Sequence, residues 1–225
     1  VKPLRGISSM APRQMLAELA ATYAGHPVSF EAAGGLDVAS RLRAGEAFDV
    51  VVLAADVIKG LIADGCLLEG SRVDLARSGI AVAVPCGAMP PDIATEAAVR
   101  DAVLTAEAVA VSSGPSGRAL TDLFERWGIA RQIAERVICP PPGVPVGAWV
   151  AEGRASLGFQ QRSELIHVAG IDVVGSLPPE IQVDTVFSAG IGAGSVQVPE
   201  VRRLLAFMTS PQADDAKRRE GMSPA

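Results

Sequence analysis

The run FDVVVL at residues 48–53 is the strongest constraint on the fold of this chain. Beyond Asp49 every residue is apolar, so both faces of an extended segment would be buried. The run is far shorter than the ~18 apolar residues a membrane helix needs. Such a segment reads as a strand of a parallel sheet covered by helices on both sides. The flanking sequence agrees. A short apolar run ending at Ile7 leads into SSMAPRQMLAELAATY, where Ser8 or Ser9 can cap a helix, Pro12 suits its first turn, and Met15, Leu16, Leu19, Ala20 and Tyr23 share a face. Val28 to Ala32 reads as a second strand. Gly34 and Gly35 follow, then a helix bearing Leu36, Ala39 and Leu42, and Ala55 with Asp56 opens a third helix. Three strand–helix units within the first 65 residues predict an α/β fold with a mixed, mostly parallel sheet.

The alternation continues. GIAVAVP at 79–85 is a strand, and the Pro-rich GAMPPD begins a different section. AVAVS runs into SGPSGRALTDLFERWGI, with Leu120, Leu123, Phe124 and Trp127 at helical spacing and Gly128 as terminator. RVICPP is a short strand, Val144 to Glu152 a helix, ASLGF a strand feeding a polar turn QQRSE, and GIDVVG another strand. IQVDTVFSAGIGAG looks extended and can return the chain to the first sheet. Val201, Leu204, Leu205 and Met208 form a helical stripe, and a last exposed helix begins near Pro211.

Several function classes drop out. Twenty basic and 25 acidic residues give a net charge of −5 without long runs of either sign, which argues against a nucleic-acid face. Cys66, Cys86 and Cys139 lack CxxC spacing and read as buried thiols. His26 and His167 form no metal motif, His26 reading as a surface residue and His167 as a structural one. No GxxxxGK[ST] or strand-bound GxGxxG is present, so neither a metal nor a nucleotide cofactor is expected. The opening VKPLRGISSM lacks the apolar core of a secretory leader, which places the chain in the cytosol or a leader upstream of this numbering.

What remains is anion binding. In open parallel sheets ligands sit beyond the carboxyl ends of the strands, where helix N-termini present unpaired N–H groups and partial positive charge. Four turns have the composition for this: Ser8, Ser9 and Met10; Gly34 and Gly35; Ser112, Ser113, Gly114, Ser116 and Gly117; and Phe159, Gln160, Gln161 and Arg162. Serines donate without adding charge, and glycines admit close backbone approach. Arg118 and Arg162 follow two of the turns, and a guanidinium is the natural fork for a carboxylate. A proton-transferring isomerase or lyase could use the same cradle, although no spacing singles out its base.

ISSMAPRQMLAELA, EAAGGLDVASRLRAGEAFDVVVLAA, LIADGCLLEGSRVDLARSGIAVAVPCG, VSSGPSGRALTDLFERWGI and VAEGRASLGFQQRSEL, in this order, resemble the type 2 periplasmic solute-binding proteins, especially their molybdate-binding branch, over nearly the whole chain. The resemblance implies a monomeric extracytoplasmic protein with two lobes, a discontinuous one from residues 1–83 and 186–225 and a second from 84–185, which close on a ligand and work with the permease of an ABC transporter. It implies that the first-loop serine falls at Ser9, with Ser8 the alternative, and that the central loop spans Ser112 to Gly117. Where that branch carries a second serine this chain has Gly34 or Gly35, and its tyrosine position maps to Phe159 or Gln160. Two lost hydroxyl donors would cost a buried oxyanion roughly 1–3 kcal/mol each. The expected ligand is therefore a small organic polycarboxylate rather than molybdate or tungstate, the oxyanions remaining an alternative. Branches of similar appearance include isomerases of aconitate, so the binding role is favoured and an aconitate-type isomerase is its rival.

Overall fold

The computed structural model describes residues 2–141 and 143–225. In chain order the elements are β1 (Leu4–Ser8), α1 (Arg13–Thr22), β2 (Val28–Ala32), α2 (Gly35–Arg43), β3 (Val50–Ala54), α3 (Ala55–Ala63) and β4 (Val73–Pro85). They continue with α4 (Glu96–Thr105), β5 (Val109–Val111), α5 (Pro115–Arg126), α6 (Ala130–Ile133), β6 (Val137–Ile138), α7 (Val146–Ala151), β7 (Leu157–Gln161), α8 (Arg162–Leu165) and β8 (Ile171–Ser176). Last come β9 (Asp184–Ile191), α9 (Val198–Met208), α10 (Asp214–Arg219) and β10 (Ser223–Pro224). Two compact units result: one from the chain up to Ser78 together with Thr185–Ala225, the other from Gly79–Asp184. The chain leaves the first unit inside β4, five residues before the expected boundary at 83, because the strand read as GIAVAVP in fact starts at Val73.

In the first unit β1 pairs in parallel with β2 and β3, and β9 pairs antiparallel with β3. The alternation predicted for β3 is literal. Val50 and Val52 face a cluster with Met15, Leu16 and Leu19 of α1 and Val201, Leu204 and Met208 of α9. Val51 and Leu53 face Val38, Ala39 and Leu42 of α2 and Ile58 and Leu61 of α3. Successive side chains of a strand point to opposite faces, so each layer receives every second residue. Ser188 of β9 donates its hydroxyl to Asp74 at 2.6 Å, and this bond, followed by Arg72, holds the Asp74 carboxyl below its ordinary range.

In the second unit β5 lies parallel to β6 and β7, while β7 and β8 both pair antiparallel with the second half of β4. Ile80, Val82, Val109, Val111, Leu157 and Phe159 pack with α4 and α5. Ala110, on the other face, meets Val146 and Val150 of α7. Gly158 permits that approach, since a Cβ there would lie 2.5 Å from Val150 Cγ2.

The sheets are mixed, as expected, with β4 and β9 supplying the antiparallel pairings. Parts of the sequence reading need correction. Neither Ser8 nor Ser9 caps α1: a turn intervenes and the cap position is Pro12. Leu36 lies on the solvent side of α2, and Val38 takes the inward position. Helix α4, absent from the reading, is started by Thr95, whose hydroxyl accepts from the Ala98 N–H at 3.2 Å. QQRSE is not a turn: both glutamines belong to β7 and Arg162–Leu165 is one helical turn. The last helix is not merely exposed, since Ala216 and Lys217 are buried and Lys217 Nζ reaches Asp214 at 3.3 Å. The three thiols are free, with Cys86 and Cys139 exposed and Cys66 half-buried. Among the described residues no helix is long and apolar enough to cross a membrane.

Candidate functional site

In the first unit, parallel pairing sends the turns after β1 and β2 off the same edge of the sheet. The ladder extends one step past β1: Ser9 N–H donates to Val52 O at 3.0 Å, and Ala33 N–H to Ser8 O at 3.1 Å. These bonds fix Ser8, Ser9, Gly34 and Gly35 beside one another. Ser8 is fully buried and its hydroxyl is spent on Ser9 O at 2.9 Å. The Ser9 hydroxyl is also buried, yet has no hydrogen-bond partner. Gly34 occupies the cap position of α2, which has no side-chain cap, so the first N–H groups of that helix lack a side-chain acceptor. Met10 is half-buried in the turn, where its carbonyl accepts from Arg13 N–H at 3.2 Å.

The second unit repeats this logic. Val111 and Phe159 pair across the parallel strands β5 and β7, so the segments that follow both strands emerge at the same edge. After β5, Ser112 Oγ lies 2.9 Å from Ser116 Oγ and accepts from Gly114 N–H at 3.3 Å. Gly114 caps α5 without a side chain, and Pro115 takes the first helical position, where a missing N–H costs nothing. Ser113 is exposed and Ser116 buried. Gly117 lets the helix sit directly on the loop, because a Cβ there would lie 1.6 Å from Ser112 O. Arg118, exposed in the first turn of α5, has no hydrogen bond or ion pair for its guanidinium among the described residues.

On the neighbouring strand, Phe159 is a core side chain packed in the main cluster of the unit. Gln160 is buried and both ends of its amide are engaged: the oxygen accepts from Val146 N–H at 2.8 Å and the nitrogen donates to Glu164 at 2.8 Å. The sequence reading passed over Glu164, although its i, i+4 spacing from Gln160 was visible. Arg162 opens α8, is exposed, and like Arg118 has no side-chain partner among the described residues. The structure thus gathers the predicted residues into two sets: Ser8, Ser9, Met10, Gly34 and Gly35 in the first unit, and the Ser112–Arg118 and Phe159–Arg162 segments in the second. The first set carries hydroxyl and N–H donors, and the second adds two guanidiniums. No group of three or more His, Cys, Asp or Glu among the described residues could hold a metal ion.

Comparison with known proteins adds four relations. Residues 4–223 match the family described as bacterial extracellular solute-binding protein. An aconitate isomerase from Pseudomonas sp is 38% identical over 188 residues, which are 83% of this chain and 71% of that protein. Among solved structures, the periplasmic molybdate-binding protein of Azotobacter vinelandii superposes with a TM-score of 0.81 at 22% identity, covering 99% of each chain. The sulfate-binding protein of Mycobacterium tuberculosis H37Rv gives a TM-score of 0.79 at 14% identity, covering 100% of this chain and 88% of that one. At such identities the solved structures establish the periplasmic-binding-protein-like fold.

Proposed function

We propose a function from one premise: the chain belongs to the family of bacterial extracellular solute-binding proteins. Its ligand, in our reading, is a small organic polycarboxylate of the aconitate class, taken up outside the cytoplasm. The observation that carries this reading is the pair of unpartnered guanidiniums, Arg118 and Arg162, placed after adjacent parallel strands. Each can take one carboxylate through two parallel N–H donors, a geometry that a single compact oxyanion does not require twice. In the first unit, the buried, unpartnered Ser9 hydroxyl and the uncapped start of α2 are neutral donors of the kind a carboxylate accepts.

Calorimetry with cis-aconitate, trans-aconitate, citrate, sulfate and molybdate tests the class. Binding of tricarboxylates that weakens tenfold or more in both Arg118→Ala and Arg162→Ala is the expected outcome. Tight molybdate or sulfate binding that ignores both substitutions would sink the proposal.

A second reading is favoured by the 38% identity to an aconitate isomerase: the chain interconverts cis- and trans-aconitate. Moving the double bond requires removal of a proton from one carbon and its return at another, with the developing negative charge held by the same N–H and guanidinium donors. Proton NMR of either isomer with the protein in D₂O separates the two roles. Appearance of the other isomer with deuterium at carbon establishes turnover, whereas unchanged spectra alongside measurable binding leave a carrier that delivers its ligand to a membrane permease.

A further inference from the structure

We propose that Gly35 sets the size of ligand this protein accepts, by leaving open the space above the Ser9 hydroxyl for carbon atoms of a polycarboxylate. The inference rests on the reading of the ligand given above. Glycine at this position is demanded neither by the backbone nor by packing. Gly35 is the first residue of the nine-residue helix α2 and is absent from the glycines with positive φ, so any L-residue could adopt its conformation. A Cβ built on it would meet only Ser9 Cβ, at 3.8 Å, an ordinary van der Waals contact. The contrast with Gly117 and Gly158 is direct, because a Cβ at those positions would collide with a carbonyl oxygen or a valine methyl. Glycine also disfavours a helix relative to alanine. A residue that neither the turn nor the core requires, and that weakens the helix it starts, keeps free the volume a side chain would occupy. That volume borders the one buried hydroxyl of the first-unit set without a partner and the N–H groups at the start of α2. An anion with a carbon skeleton can fill it while one carboxylate takes those donors. A side chain at position 35 would fill it instead.

The test uses the full chain and the variants Gly35→Ala and Gly35→Ser, titrated calorimetrically with cis-aconitate, trans-aconitate and the compact anion sulfate, and melted without ligand. We expect melting temperatures equal to or above wild type, an affinity for aconitate lowered at least tenfold in both variants, and a ratio of aconitate to sulfate affinity that shifts toward sulfate. Wild-type affinity for aconitate in Gly35→Ala overturns the inference while leaving the ligand class standing. Equal losses for all anions also overturn it, since they would mark the peptide N–H rather than the free volume as the determinant. A wild-type chain that binds no polycarboxylate overturns both this inference and the reading beneath it.

Discussion

At the scale of single residues, the site and its scaffold make opposite demands on side chains. The Ser9 hydroxyl is desolvated without receiving a partner, so it adds nothing to folding, and under the proposed function it donates to the ligand. Ser9→Ala is expected to lower affinity for the polycarboxylate by about 10- to 100-fold, the equivalent of one hydrogen bond to a charged group at ~1.5–3 kcal/mol. Its unfolding midpoint in urea should match or exceed wild type, and a variant that binds normally removes Ser9 from the site. Gly117 is the reverse case, a residue of the site region whose role is steric. Gly117→Ala forces a Cβ onto Ser112 O and should cost about 1–3 kcal/mol of stability. Urea denaturation of that variant checks this, and a midpoint equal to wild type would mean that the loop and α5 separate at little cost. The residue scale is also where the sequence was least legible. Serines and glycines at turns look alike on paper, and only burial tells the committed hydroxyl of Ser8 from the uncommitted one of Ser9.

Among elements, caps and alternation decide what forms. Helix α4 carries its start signal in Thr95, and Glu96 beside it accepts from the Trp127 indole N–H at 2.6 Å and from Arg126 at 2.8 Å, fastening the start of α4 to the end of α5. Thr95→Ala should lower stability by about 1 kcal/mol, as loss of a helix cap does. Chemical unfolding measures it, and the urea slope should stay unchanged. The elements that were legible, β1 to β3 and α5, owe this to long uninterrupted patterns of one period: Val50 to Leu53 apolar throughout, and Leu120, Leu123 and Phe124 on one stripe. Helix α4 was missed because EAAVRDAVLT follows a Pro-rich stretch that reads as irregular, and its inward residues include the small Ala102. The glutamines of QQRSE misled because polar residues rarely lie in a buried strand; here Gln160 is tolerated because both ends of its amide are bonded. The direction of β4 had no sequence signal, since its stretch Ile80 to Val84 is as apolar as the strand β3, which pairs in parallel with β1.

For the molecule as a whole, acid is the expected point of weakness. Asp74 is held below the ordinary carboxylate range first by the Ser188 hydroxyl, and Glu96 first by the Trp127 indole N–H. A carboxyl with a lower pKa when folded stabilises the native state fully above its unfolded pKa of ~4, and that contribution disappears as pH falls through the folded values. Thermal midpoints are therefore expected to be flat from pH 7 to about pH 5 and to decline below about pH 4. Asp74→Asn and Glu96→Gln should each lower the plateau and flatten the decline; an unaltered acid limb in the double variant would exclude these groups as its source. The interrupted make-up of the first unit has a further consequence, in time rather than in space. Val50 pairs with Ile191, so this unit waits for roughly 140 more residues after β3 leaves the ribosome. At ~5–20 residues per second that is on the order of ten seconds or more, whereas Gly79–Asp184 is contiguous and is complete before β9 has been made. Throughout that interval the open edge of β3 and the apolar face meant for α9 are bare, an aggregation hazard that the finished chain no longer carries.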